Sequence, residues 1–181
     1  MNKQKINKTK IIDVMKSCVQ AMELPILDET NKDGELGIYT EVELEFFSIH
    51  IFVYLPADQD IIKINIGFTP SIHQENLNKI KNLLNRLNTQ LMDIGTLTVC
   101  KGGVVFSRTA IPLTGDDFDA DQFRESLNRL IMQGVGIYEL ILRADLDEAS
   151  PEEIVKEFFE CAKAYKENLD VENPVMGQTI H

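Results

Sequence analysis

The sequence predicts an α+β domain in which an antiparallel sheet, a meander followed by a hairpin, packs against helices in the order α-β(3–4)-α-β-β-α-α. Three observations carry this. Apolar residues recur at helical spacing at the start of the chain and through its second half. Between those stretches, β-branched and aromatic residues alternate with polar ones. Glycine and proline mark the places where one pattern gives way to the other.

The first helix follows from Ile11, Ile12, Met15, Cys18, Val19 and Met22, which share one face while Lys10, Asp13, Lys16 and Gln20 share the other; Pro25 ends it. From Ile26 to Gly67 the period shortens. Gly34 and Gly37 punctuate one turn and Pro56-Ala57-Asp58 another, with strand runs at Tyr39 to Phe47, Ile49 to Leu55 and Ile61 to Phe68. Around Phe46-Phe47-Ser48 the apolar residues do not keep one parity, so the strand boundary there stays open. A second helix is expected after Pro70, with Ser71 and Gln74 spaced as a capping box and a stripe of Leu77, Ile80, Leu84, Leu87 and Leu91. Lys101-Gly102-Gly103 then joins two strands, Thr96 to Cys100 and Val104 to Thr109, as a hairpin.

Asp119 is the expected cap of a third helix, whose buried stripe is Phe123, Leu127, Leu130 and Ile131. Gly134 and Gly136 weaken it before an almost unbroken apolar run, Val135 to Leu142. Ser150, Pro151 and Glu153 together make the clearest helix start in the chain, and Ile154, Phe158, Cys161 and Tyr165 line the fourth helix. No repeat or linker interrupts the pattern. One domain is expected over residues 1–168, with a flexible tail over residues 169–181.

Composition narrows the function classes. With 29 acidic and 18 basic residues the net charge is −11, which repels a phosphate backbone and an anionic membrane alike; neither nucleic acid nor membrane is an expected partner. No apolar run approaches the roughly 20 residues of a membrane helix. The three cysteines, Cys18, Cys100 and Cys161, are odd in number and widely spaced, as in reduced, buried thiols of a cytoplasmic protein.

The chain has no legible catalytic site. Its three histidines, His50, His73 and His181, are scattered, and each reads as structural or solvent-exposed. There is no Gly-x-Ser-x-Gly elbow, no Cys-x-x-Cys pair and no phosphate-cradling glycine loop. Asp117, Asp119 and Asp121 alternate as at the start of a calcium loop, but the sixth and twelfth positions hold Gln122 and Asn128 instead of glycine and glutamate. Those acids suit the positive end of the third helix, and Asp145, Asp147 and Glu148 form a short acidic connector before the fourth. No cofactor and no metal is expected.

Leu84-Asn85-Arg86-Leu87-Asn88, then Gly95-Thr96-Leu97, the hairpin with Val105-Phe106-Ser107-Arg108, and Ile111-Pro112-Leu113 carry a resemblance over roughly residues 70–145. On these residues the chain resembles the YbjN-like family of sensory transduction regulators, which share the fold of type III secretion chaperones. The resemblance implies a non-enzymatic domain that pairs with itself or with another protein, and it places no catalytic residue here.

The residues point the same way. Val135, Ile137, Tyr138 and Ile141 belong to a segment apolar on more than one helical face, and such a segment must be covered on both sides. Its cover is either the domain's own sheet or a second chain, in which case these four residues form a homodimer contact. The expected function is a dimeric protein-binding module, chaperone-like or regulatory, with an unidentified protein partner. The alternative is a small-molecule-binding sensory domain.

Overall fold

In the computed structural model, which describes residues 6–90, 92, 95–113, 118–146 and 149–160, six strands form one antiparallel sheet. The elements run α1 (Lys8–Ala21), β1 (Asp28–Lys32), β2 (Glu35–Glu43), β3 (Ser48–Leu55), β4 (Ile61–Thr69), a 3-10 turn (Gln74–Asn76), α2 (Leu77–Gln90), β5 (Thr96–Val99), β6 (Val105–Pro112) and α3 (Ala120–Leu146). Residues 151–160 form α4. The predicted α+β class and element order hold, with four strands in the meander. In space the strands lie in the order β1-β2-β3-β4-β6-β5, so the hairpin docks its second strand against β4.

The period-two alternation decides which face is covered. In β3, Ile49, Ile51, Val53 and Leu55 are buried, while His50, Phe52 and Tyr54 point the other way. Register carries the buried set across the sheet: Ile51 pairs with Ile66 and Val53 with Ile64. Helix α1 meets this face at β2, α2 at β5, and α3 at β4 and β6. One continuous core results, reaching from Ile11 in α1 to Ile154 and Val155 in α4. Arg86 of α2 pairs with Glu152, and Arg143 of α3 with Glu157 at 2.8 Å, holding α4 against both helices.

Several local expectations are met in detail. Asp119 Oδ1 accepts from the backbone N–H of Asp121 (3.0 Å) and Gln122 (2.9 Å), as a cap should. Ser150 and Glu153 complete their box, with Ser150 N donating to Glu153 Oε2 at 2.8 Å and Glu153 N to Ser150 Oγ at 3.3 Å.

Others need correction. Gly34 forms the β1–β2 turn with Asp33, both at positive φ, but Gly37 lies inside β2 and is buried. The parity slip at Phe46-Phe47 is the β2–β3 turn itself, closed by a hydrogen bond from Leu44 N to Phe47 O (2.9 Å). Gly134 and Gly136 do not interrupt α3, which is one helix of 27 residues. A Cβ at Gly134 would stand 2.7 Å from the Phe68 ring, so the missing side chain is what lets the helix lie close on β4. Cys18 is buried as expected, yet Cys100 is exposed. Asn88 does more than end α2: its side chain accepts from Leu97 N (2.7 Å) and donates to Leu97 O (2.9 Å), pairing the helix with β5. Cys161, Asp117, Asp147, Glu148, His181 and the expected tail lie outside the described residues.

Candidate functional site

The predicted capping box at Ser71 and Gln74 does not form. Ile72 N donates to Gly103 O (2.9 Å), which keeps the chain after Pro70 extended, and the helical path begins only at Gln74. One orphan donor at this start, the His73 N–H, is met from another part of the chain. Asp145, expected in an acidic connector, sits instead in the last turn of α3 with its side chain 3% exposed. Its carboxylate accepts from the backbone N–H of His73 (3.2 Å to each oxygen) and from Asn76 Nδ2 (3.0 Å). Asn76 Nδ2 also donates to the Asp145 backbone oxygen at 2.8 Å. A carboxylate 72 residues away in sequence thus does the work assigned to Ser71.

The same carboxylate holds a histidine. His73 Nδ1 lies 2.6 Å from Asp145 Oδ2, and the His73 side chain is 60% exposed. A carboxylate ion only accepts, so against ionised Asp145 it is Nδ1 that donates in this bond.

Beside this pair the β2–β3 turn and the end of α3 form a cleft of about 560 Å³ lined by apolar Phe46, Phe47, Pro70, Leu142 and Leu146 and by polar Ser71, His73 and Glu139. Phe47 points inward and packs edge-on against Tyr138 at 5.1 Å, and Tyr138 stacks on Phe68 at 4.8 Å. The Tyr138 hydroxyl donates to Pro70 O, fixing the wall of the cleft to α3. Burial first, and then the negative Asp145, hold that hydroxyl well above the usual tyrosine range, so it stays a donor. Phe46 and Leu146 stand outward at the mouth, 75% and 73% exposed.

Comparison of the chain with protein-family models and with curated proteins gives no match.

The four residues expected at a homodimer contact are mostly spent inside the chain. Ile137, Tyr138 and Ile141 are no more than 5% exposed and pack in the domain's own core; Val135 alone is partly exposed. The sheet is therefore the cover for that stripe, because α3 lies directly on β4 and β6. His50 does not join the cleft. It sits on the opposite face of the sheet, with Nδ1 2.9 Å from the Tyr39 hydroxyl and Nε2 3.0 Å from Thr69 Oγ1. Among the described residues no group of three or more His, Cys, Asp or Glu is placed to hold a metal ion, and no helix is long and apolar enough to cross a membrane.

Sequence reasoning missed His73 and Asp145 as partners because nothing local links them. One signal was available: Asp145 falls at helical spacing from Tyr138 and Ile141, on the buried stripe and not in a connector.

Proposed function

We propose that the protein is a non-enzymatic protein-binding module, a chaperone-like or regulatory adaptor, that takes an apolar side chain of its partner into the cleft between the β2–β3 turn and the end of α3. The observation that carries this is the pair Phe46 and Leu146, large apolar side chains left exposed on either side of a largely apolar cleft. Solvent exposure of two such neighbours is unfavourable unless something covers them. Ser71, His73 and Glu139 supply the exposed polar groups of the cleft lining, which would orient polar groups of the partner. Asp145 is occupied as a helix cap, and this argues for a positioning role for the pair over a catalytic one.

The test uses a random peptide display selection on the full chain, with binding of the selected peptides measured by fluorescence anisotropy. Phe46→Ser and Leu146→Ser should each weaken binding about tenfold or more while leaving the circular dichroism spectrum unchanged, since neither side chain supports the core. Selected peptides that bind both variants as well as the parent would refute the assignment.

A cleft of about 560 Å³ also lies within the size range of small-molecule sites, and this favours the sensory alternative as a second reading. A rise in melting temperature with one member of a metabolite panel, abolished by Leu146→Ser, would select it over the first.

A further inference from the structure

The sheet has a second face that no described helix covers. It carries Tyr39, Phe52, Tyr54 and Phe106, with Tyr39 stacked on Phe52 at 4.7 Å and Phe52 44% exposed. Glycines leave room beside two of these side chains. A Cβ at Gly37 would come 3.3 Å from Tyr54 Cβ, and one at Gly67 3.3 Å from the Phe106 ring. An aromatic surface of this kind has the residue types enriched at interface centres.

Charge is segregated across it. The register places Asp28, Glu35, Glu41 and Glu43 of β1 and β2 on this face, against Lys32 alone. On the other side of β3, the same face of β4, β6 and β5 carries Lys63 and Arg108 and no acidic residue. Strand β3 between them presents Ser48, His50, Phe52 and Tyr54. The surface is therefore acidic on the β1–β2 side, aromatic in the middle and basic on the β4–β6 side, with threonines on the outermost strand β5.

We infer that this face is the contact between two copies of the chain, packed sheet to sheet about a two-fold axis running along the strands between β3 and β4. A two-fold axis in that direction exchanges left for right, so the acidic side of each copy faces the basic side of the other. The other in-plane axis, across the strands, would lay Glu41 and Glu43 over their own equivalents and is disfavoured by like-charge repulsion. The size also fits. Six strands about 4.8 Å apart, the four inner ones about 26–30 Å long and the two edge strands about half that, present a face of roughly 700 Å², near the roughly 800 Å² that each partner contributes to a standard interface. A single-stranded nucleic acid could stack on the same rings, but the acidic edge and the net charge of −11 oppose it. The inference stands apart from the cleft, which is built on the helix side of the sheet.

Two charge-reversed forms test it. The form Glu41→Lys/Glu43→Lys makes the face net basic, and Lys63→Glu/Arg108→Glu makes it net acidic. All four positions are at least partly exposed, so folding, checked by circular dichroism, should persist. In sedimentation equilibrium near physiological salt, where long-range repulsion between acidic chains is screened, the parent should approach twice its 20.6 kDa chain mass. Each form alone should dimerise about tenfold or more weakly. Mixed in equal amounts, the two should form a heterodimer that native mass spectrometry resolves as one copy of each. A parent that stays monomeric up to about 100 μM overturns the inference, as does a mixture that gives no heterodimer. A monomeric parent that shifts a labelled single-stranded oligonucleotide, with the shift lost in Lys63→Glu/Arg108→Glu, would assign the face to nucleic acid instead. As an independent check, Phe52→Asp should also abolish the dimer.

Discussion

Two glycines one turn-half apart in α3 should respond oppositely to the same substitution. Gly136 is exposed, and a Cβ there meets nothing within 4 Å. Gly136→Ala should therefore gain the difference in helix propensity, up to about 1 kcal/mol. Gly134→Ala gains the same term but must place its methyl 2.7 Å from Phe68 Cζ and 3.2 Å from Cε1, against a normal carbon contact of about 3.5–4.0 Å. Phe68 has nowhere to retreat: it is fully buried, and Tyr138 stacks on it at 4.8 Å. Relieving the clash means lifting α3 off β4, an overpacking cost of about 1–3 kcal/mol that offsets or exceeds the propensity gain. The two variants should differ by about 1–3 kcal/mol, with Gly136→Ala the more stable. Urea unfolding followed by circular dichroism reads this directly as opposite shifts of the midpoint at similar slope. Equal upward shifts for both variants would refute the close-approach argument.

Asp145→Ala should cost about 1–3 kcal/mol, since it removes the acceptor of the His73 N–H and of the Asn76 side chain at the helix start; a calorimetric melting temperature within a degree of the parent would contradict the capping role. His73→Ala, at a side chain 60% exposed, should cost about 1 kcal/mol or less in the same assay. Glu153 has its carboxyl held below the usual glutamate range by the Ser150 backbone N–H and hydroxyl, and Glu157 by Arg143. A depressed carboxyl stabilises above the ordinary pKa and loses that contribution as pH falls through the folded value, so α4 should loosen first on acidification below about pH 4. Hydrogen exchange of the amides of residues 151–160 measures this, and Glu153→Gln should flatten the pH dependence; an unchanged profile would count against it.

The element order and the caps at Asp119 and Ser150 were legible because each depends on residues within a few positions of one another. Periodicity of 3.6 or 2 and a cap three residues from its acceptor are local properties. The start of α2 was not legible for the converse reason. Ser71 and Gln74 have the right spacing, but Ile72 is tied to Gly103 and the capping carboxylate comes from Asp145, both consequences of long-range packing. The continuity of α3 through two glycines was hidden likewise, since propensity counts against glycine while Phe68 requires the absence of a side chain at Gly134.

By itself the sequence determined that a half-buried antiparallel sheet would pack against amphipathic helices, because burying one apolar face is the only way to satisfy those patterns. Tertiary structure decided what covers what. It spent Ile137, Tyr138 and Ile141 on the chain's own sheet, brought His73 to Asp145, and left Phe46 and Leu146 exposed and the aromatic sheet face without a described helix over it. Periodicity states that a face must be buried; only the arrangement of elements in space states against which partner.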